Sequence, residues 1–131
     1  MVQNSTNEPE EKQLLEDERK RLRTLIETIP DLIWLKDPDG KFLLCNPKFE
    51  QFFGPKESEI IGKTDFDFVP TELARFFQQK DKEALETNRP VKNTEWITYA
   101  DDGHRELIET IITPMYFLDG KIVGVLGMDT I

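Results

Sequence analysis

Residues Trp34–Gly54 read WLKDPDGKFLLCNPKFEQFFG, and how this stretch folds decides the rest. Asp37-Pro38-Asp39-Gly40 fits a type I turn, because proline presets φ at the second place and glycine tolerates the left-handed conformation at the turn's exit. Apolar, β-favouring runs flank it, Asp31–Lys36 (DLIWLK) and Lys41–Cys45 (KFLLC), so the unit is a hairpin. Asn46 is a strong N-cap and Pro47 suits the first helical position, which starts a short helix. Phe49, Phe52 and Phe53 share one face of it, and Gly54 ends it. Cys45, which could suggest a thiol site, sits where the second strand ends and reads as a small apolar filler.

On the N-terminal side, residues 1–8 are polar and read as a disordered tail. A helix is expected over 9–29, opened by Pro9 among Glu8, Glu10 and Glu11. Leu15, Leu22 and Ile29 repeat every seven residues and Leu25 follows Leu22 by three, a stripe as narrow as a coiled-coil seam. Two readings are open: the stripe pairs with a second copy in a dimer, or it packs on its own domain. The pairs Glu16/Lys20 and Asp17/Arg21 stand one turn apart and support a free-standing helix.

On the C-terminal side, short helical segments are expected at Lys56–Ile61 and around Thr64–Phe68. A long helix is expected at Thr71–Thr87, with Leu73, Phe76, Phe77, Ala84 and Leu85 on one face and Asn88 and Pro90 at its end. The pattern then changes period. Val91–Tyr99, Arg105–Phe117 and Lys121–Asp129 read as strands joined by Asp-Gly turns, an antiparallel meander. In the middle strand Ile108, Thr110 and Ile112 share one face, and the costly burial of Glu109 assigns that face to the core. The whole is an α+β domain over 30–131.

Composition narrows the function. The net charge is −9 over 131 residues, which repels phosphate backbones and anionic membranes. One cysteine allows no internal disulfide, and no apolar run is long enough to span a bilayer. Together with the absence of a signal-like N-terminus, this predicts a cytoplasmic chain with no nucleic-acid or membrane contact of its own.

Taken together, IWLKDPDGKFLLCNPKFEQFFG, EIIGKTDFDFVP, DDGHRELIETIITPM and DGKIVGVLGMDT, in this order, resemble the PAS domain, a sensory module of bacterial signalling proteins such as sensor histidine kinases. The resemblance implies a five-stranded antiparallel sheet of order 2-1-5-4-3, covered on one face by short helices and the long helix. It also implies dimerisation through the amphipathic helix before the first strand, with Leu15, Leu22, Leu25 and Ile29 as the contact stripe. A signal would be relayed to an output domain outside this segment, such as a kinase or a cyclic-nucleotide enzyme, and no catalysis is expected in the chain itself.

The chemistry-bearing residues agree with a non-catalytic module. The single histidine, His104, falls in a turn with no nucleophile in view. Asp37, Asp39, Asp65 and Asp67 lack the spacing of a calcium loop, and turn or capping roles explain them, so no metal site is expected. Gly124 and Gly127 lie inside a strand, where they permit close packing or a bulge. The resemblance also bears on cofactors. Haem-binding relatives use a histidine on the long helix, and Thr71–Thr87 has none. Relatives that bind flavin covalently carry a cysteine where this chain reads GKTDFDFVP. A non-covalent flavin or a small ligand between the long helix and the sheet stays open. Its candidate pocket is Phe49, Phe52, Phe53, Phe66, Phe68, Phe76, Phe77, Trp96, Ile108, Thr110 and Ile112; the same aromatics could equally fill a closed core.

Overall fold

A computed structural model describes residues 4–130. The elements run α1 (Asn4–Thr28), β1 (Leu32–Lys36), β2 (Phe42–Cys45), α2 (Pro47–Phe53), α3 (Glu57–Ile60), a 3-10 turn at Asp65–Asp67, α4 (Thr71–Thr87), β3 (Val91–Thr98), β4 (Arg105–Tyr116) and β5 (Ile122–Thr130). The five strands form one antiparallel sheet of order β2-β1-β5-β4-β3, as the resemblance implied.

The opening hairpin folds as its sequence dictates. Gly40 N–H donates to the Asp37 carbonyl at 3.0 Å, and Asp37 Oδ1 accepts from the amides of Asp39 and Lys41. Asn46 does more than cap. Its Oδ1 accepts from the amides of Phe49 and Ile33, both at 3.1 Å. Its Nδ2 donates to the carbonyls of Asp31 (2.6 Å) and Ile29 (3.3 Å). One fully buried side chain therefore ties the exit of α1, the start of β1 and the start of α2, with the hydrogen-bonding capacity of its amide in use.

The inner face of the sheet carries Leu32, Trp34 and Lys36 on β1, Asn93, Glu95 and Ile97 on β3, Ile108, Thr110 and Ile112 on β4, and Val125, Gly127 and Asp129 on β5. The two strand glycines are where backbones and rings come close. A Cβ on Gly124 would lie 1.8 Å from the Lys36 carbonyl oxygen, and one on Gly127 would lie 2.0 Å from the Trp34 ring. Phe49 is the aromatic hub over this face, with ring centroids 4.7 Å from Phe53, 5.3 Å from Trp34 and 5.7 Å from Phe42.

Two expectations need correction. The helix begins at Asn4 and contains Pro9, where a disordered tail over residues 1–8 was expected; residues 1–3 lie outside the described residues. Pro9 is the sixth residue of this helix, past the first turn where proline is free, and it removes one backbone hydrogen bond there. On α4, Leu73 is exposed, and the buried positions are Ala74, Asp81 and Ala84. An aspartate at a core position hid the true face.

The stripe of α1 finds little cover in its own domain. Leu15, Leu22 and Leu25 are exposed and Ile29 is half-buried. The helix is fastened at Arg23, which forks onto Glu57, whose Oε2 also accepts from the Cys45 amide at 2.9 Å.

Candidate functional site

A cavity of about 40 Å³ lies between the sheet and the helices α2 and α4. Its apolar wall is Trp34, Phe42, Phe49, Phe52, Phe53, Phe76, Phe77, Ile97 and Ile112. Seven of the expected pocket residues meet here: Phe49, Phe52, Phe53, Phe76, Phe77, Thr110 and Ile112.

The others fall elsewhere. Ile108 is buried in the adjoining core cluster, and Phe68 packs behind Phe53 at 5.2 Å. Phe66 is 44 % exposed. Trp96 is 58 % exposed on the opposite face of the sheet, with the Arg105 guanidinium 5.1 Å from its ring. Strand phase decides this last case: Val91, Ile97 and Tyr99 are buried, so the even-numbered Trp96 points out and the odd-numbered Glu95 points in.

What hydrophobicity missed is the polar part of the wall: Lys36, Asp65, Lys80, Asp81, Asn93, Glu95 and Asp129. At one end Lys36 Nζ donates to Asp65 Oδ2 at 2.5 Å and Asp81 Oδ2 at 2.9 Å. Burial works against the Lys36 charge, but the attraction of Asp81 and Asp65 outweighs it and holds the ammonium protonated. Asp81 is pushed up by burial more than Lys36 pulls it down. Asp67, by contrast, closes a capping box on the Thr64 amide, the local role expected of both acids.

At the other end, Asn93, Thr110 and Asp129 lie side by side across β3, β4 and β5. Thr110 Oγ1 donates to Glu95 Oε1 at 3.4 Å. Burial raises Glu95, and burial first, with the nearby charges of Glu95 and Asp31, pushes Asp129 up to about 7. Two buried side-chain oxygens among the described residues have no hydrogen-bond partner, Asp81 Oδ1 and Asp129 Oδ1, and both residues line this cavity.

The remaining reactive side chains lie off the cavity. Cys45 is buried among the core residues and burial pushes its thiol up to about 12, the behaviour of an inert filler. His104 stacks on Tyr99 at 4.2 Å and bonds Asp102 and Glu106, which raise its pKa. Asp101, Asp102 and His104 converge in an exposed turn.

The fold and this helix-covered cavity define a class, and the comparisons name it. A model of the PAS fold matches residues 26–128, and the chain belongs to that family. It is 29 % identical over 109 residues to the methanogenesis regulatory histidine kinase FilI of Methanothrix harundinacea. It is 28 % identical over 112 residues to the aerobic respiration control sensor protein ArcB of Escherichia coli. Those matches take 83 % and 86 % of this chain but only 12 % and 14 % of the relatives' length. Among solved structures, VqmA bound to DPO superposes with a TM-score of 0.74 at 27 % identity, over 84 % of this chain and 55 % of that one. The PAS domain of an HTR-like protein from Haloarcula marismortui matches with a TM-score of 0.68 at 22 % identity, over 93 % of this chain and 98 % of that one. No helix among the described residues is long and apolar enough to cross a membrane.

Proposed function

We propose that the chain is the sensory and dimerisation module of a signal-transduction protein. It carries no catalysis of its own and passes a packing change to an output domain outside this segment. The observation that carries the reading is α1. This helix bears an uncovered leucine stripe, and Asn46 and Glu57 join its exit to the hairpin that walls the cavity. A change at the sheet therefore has a short physical path to a helix able to pair with a second copy. Light scattering tests it: the wild-type chain is expected as a dimer at micromolar concentration, and Leu22→Glu/Leu25→Glu as a folded monomer. A wild-type chain that stays monomeric at high micromolar concentration sinks the dimerisation half.

The unpartnered oxygens of Asp81 and Asp129 favour a second reading, that the cavity receives a small ligand. The structure of VqmA bound to DPO supports it by likeness. A flavin ring system does not fit about 40 Å³, a space for two or three waters, without wholesale movement of the phenylalanines. Haem has no histidine ligand on α4. Mass spectrometry of the denatured, freshly purified protein is expected to release a small molecule; a protein that arrives empty and binds nothing in a metabolite screen ends this reading.

A further inference from the structure

The charge on the cavity wall does not balance. Four carboxylates, Asp65, Asp81, Glu95 and Asp129, face two ammonium groups, Lys36 and Lys80. Lys36 is already committed to Asp65 and Asp81. Lys80 leans over the Phe76 ring, 5.5 Å from its centroid, pairs loosely with Glu83 at 3.9 Å, and offsets Glu95 only in part, from beyond bonding distance. Neither bonds to Asp129. That carboxylate is only 4 % exposed, its Oδ1 has no partner among the described residues, and Glu95 is close enough to perturb it. The Thr110 hydroxyl lies between the two acids, but it has one hydrogen and can serve one acid at a time. The opposite walls are lined by aromatic rings, whose faces attract cations once water is removed.

We propose that the cavity binds a small organic cation: a primary ammonium head between Asp129 and Glu95, on a compact apolar body that lies against Trp34 and the α2 and α4 phenylalanines. The inference rests on the ligand reading of the cavity and adds the ligand's chemical class. The head supplies the donors that Asp129 Oδ1 lacks and cancels the surplus negative charge. The enclosed space takes only the head and a carbon or so. The body is admitted by displacement of Phe76 and Phe77, which are half-buried on α4. A carboxylate-bearing ligand is disfavoured, because the one fully buried cation among the described residues is held by two acids already.

The experiment is a titration of the 15N-labelled chain at pH 8 with n-butylamine, n-butanol and n-butyrate, followed by amide chemical shifts. The amine is expected to move the amides of Thr110, Asp129 and Phe77 saturably and n-butyrate to leave them in place. Asp129→Asn is expected to weaken the amine at least tenfold. Glu95→Gln, a second variant in case the first folds poorly, is expected to weaken it several-fold. If n-butanol moves the same amides as strongly, the cationic class is overturned and the ligand cavity stands. If no probe moves them, the ammonium proposal is overturned, while the ligand reading is decided separately by the mass spectrometry of the purified protein. Amine affinity unchanged in both variants also overturns the proposal.

Discussion

The two ends of the cavity solve the same problem in opposite ways. Each buries carboxylates against an aromatic wall. At the Lys36 end the chain supplies its own cation, so two aspartates share one ammonium across three elements: β1, the 3-10 turn and α4. At the Asp129 end the chain supplies a hydroxyl and an amide, and the nearby ammonium, Lys80, acts on Glu95 from a distance without bonding Asp129, whose carboxylate is left with an idle oxygen and a pKa near 7. A buried charge with its partner built in behaves as structure. One without a partner is a cost that the fold carries, and such costs gather at sites that receive something.

The largest test of this contrast is removal of the resident cation. Lys36→Met leaves the buried Asp65 and Asp81 with no cation between them, and is expected to cost about 3–5 kcal/mol in urea unfolding. Replacing all three with apolar residues, as Lys36→Met/Asp65→Leu/Asp81→Leu, should recover most of that loss, because the penalty comes from unpaired charge. If the single variant costs under about 1 kcal/mol, the triad is not a buried pair and the contrast fails.

Trp34 stands between the two ends, flat over Gly127. In Gly127→Ala the new methyl meets the indole, which must shift into the cavity. The expected cost is about 1–3 kcal/mol, the range of an overpacked core. Amide shifts should appear at both Lys36 and Asp129, whereas shifts at one end alone would show that Trp34 does not couple them.

At the Asp129 end the sign reverses. The folded-state pKa of about 7 lies above the ordinary carboxylate value, so the fold favours the protonated acid. The penalty is absent below the unfolded pKa of about 4, grows as pH rises through about 7, and is constant beyond. Glu95, Asp31 and the Thr110 hydroxyl are the groups that face it, so Asp129→Asn removes the titration without adding a charge. The variant is expected to be more stable than wild type at pH 8, by about 1–2 kcal/mol after allowance for water reaching the cavity, and equal to it near pH 4. A difference independent of pH would place the effect in packing.

How much of this the sequence made legible follows from the kind of signal each residue leaves. The turn at Asp37–Gly40, the cap at Asn46 and the helix over Thr71–Thr87 are written in local chemistry, and they stand where that chemistry puts them. The phenylalanines of α2 and α4 announce themselves by helical spacing. Lys36, Asp81, Glu95 and Asp129 do not, because each is polar at a position whose phase is apolar, and hydrophobicity scores read such residues as surface. Phase finds some of them: Glu95 sits between Val91 and Ile97 at the same parity. It does not find Lys36, because every residue of β1 is buried and the strand carries no alternation to continue. Asp81 falls seven residues after Ala74 and three before Ala84. The partner that makes burial tolerable is distant in the chain, 45 residues in the case of Lys36 and Asp81, so no local rule can supply it.

Trp96 gives the smallest effect and the sharpest control. Composition alone puts this tryptophan in an aromatic pocket, whereas strand phase puts it on the outer face, where it meets Arg105 and pairs across the ladder with Leu107. Trp96→Ser removes an exposed cation–π contact and little buried area, so the expected loss is about 0.5–1 kcal/mol. Its neighbour Glu95 occupies the inner face, so the two substitutions separate the faces of one strand. Trp96→Ser should leave the amine-induced shifts at Thr110 and Asp129 unchanged, while Glu95→Gln diminishes them. If Trp96→Ser abolished those shifts, the outer face would be part of the site, and the division between the two faces would have to be redrawn.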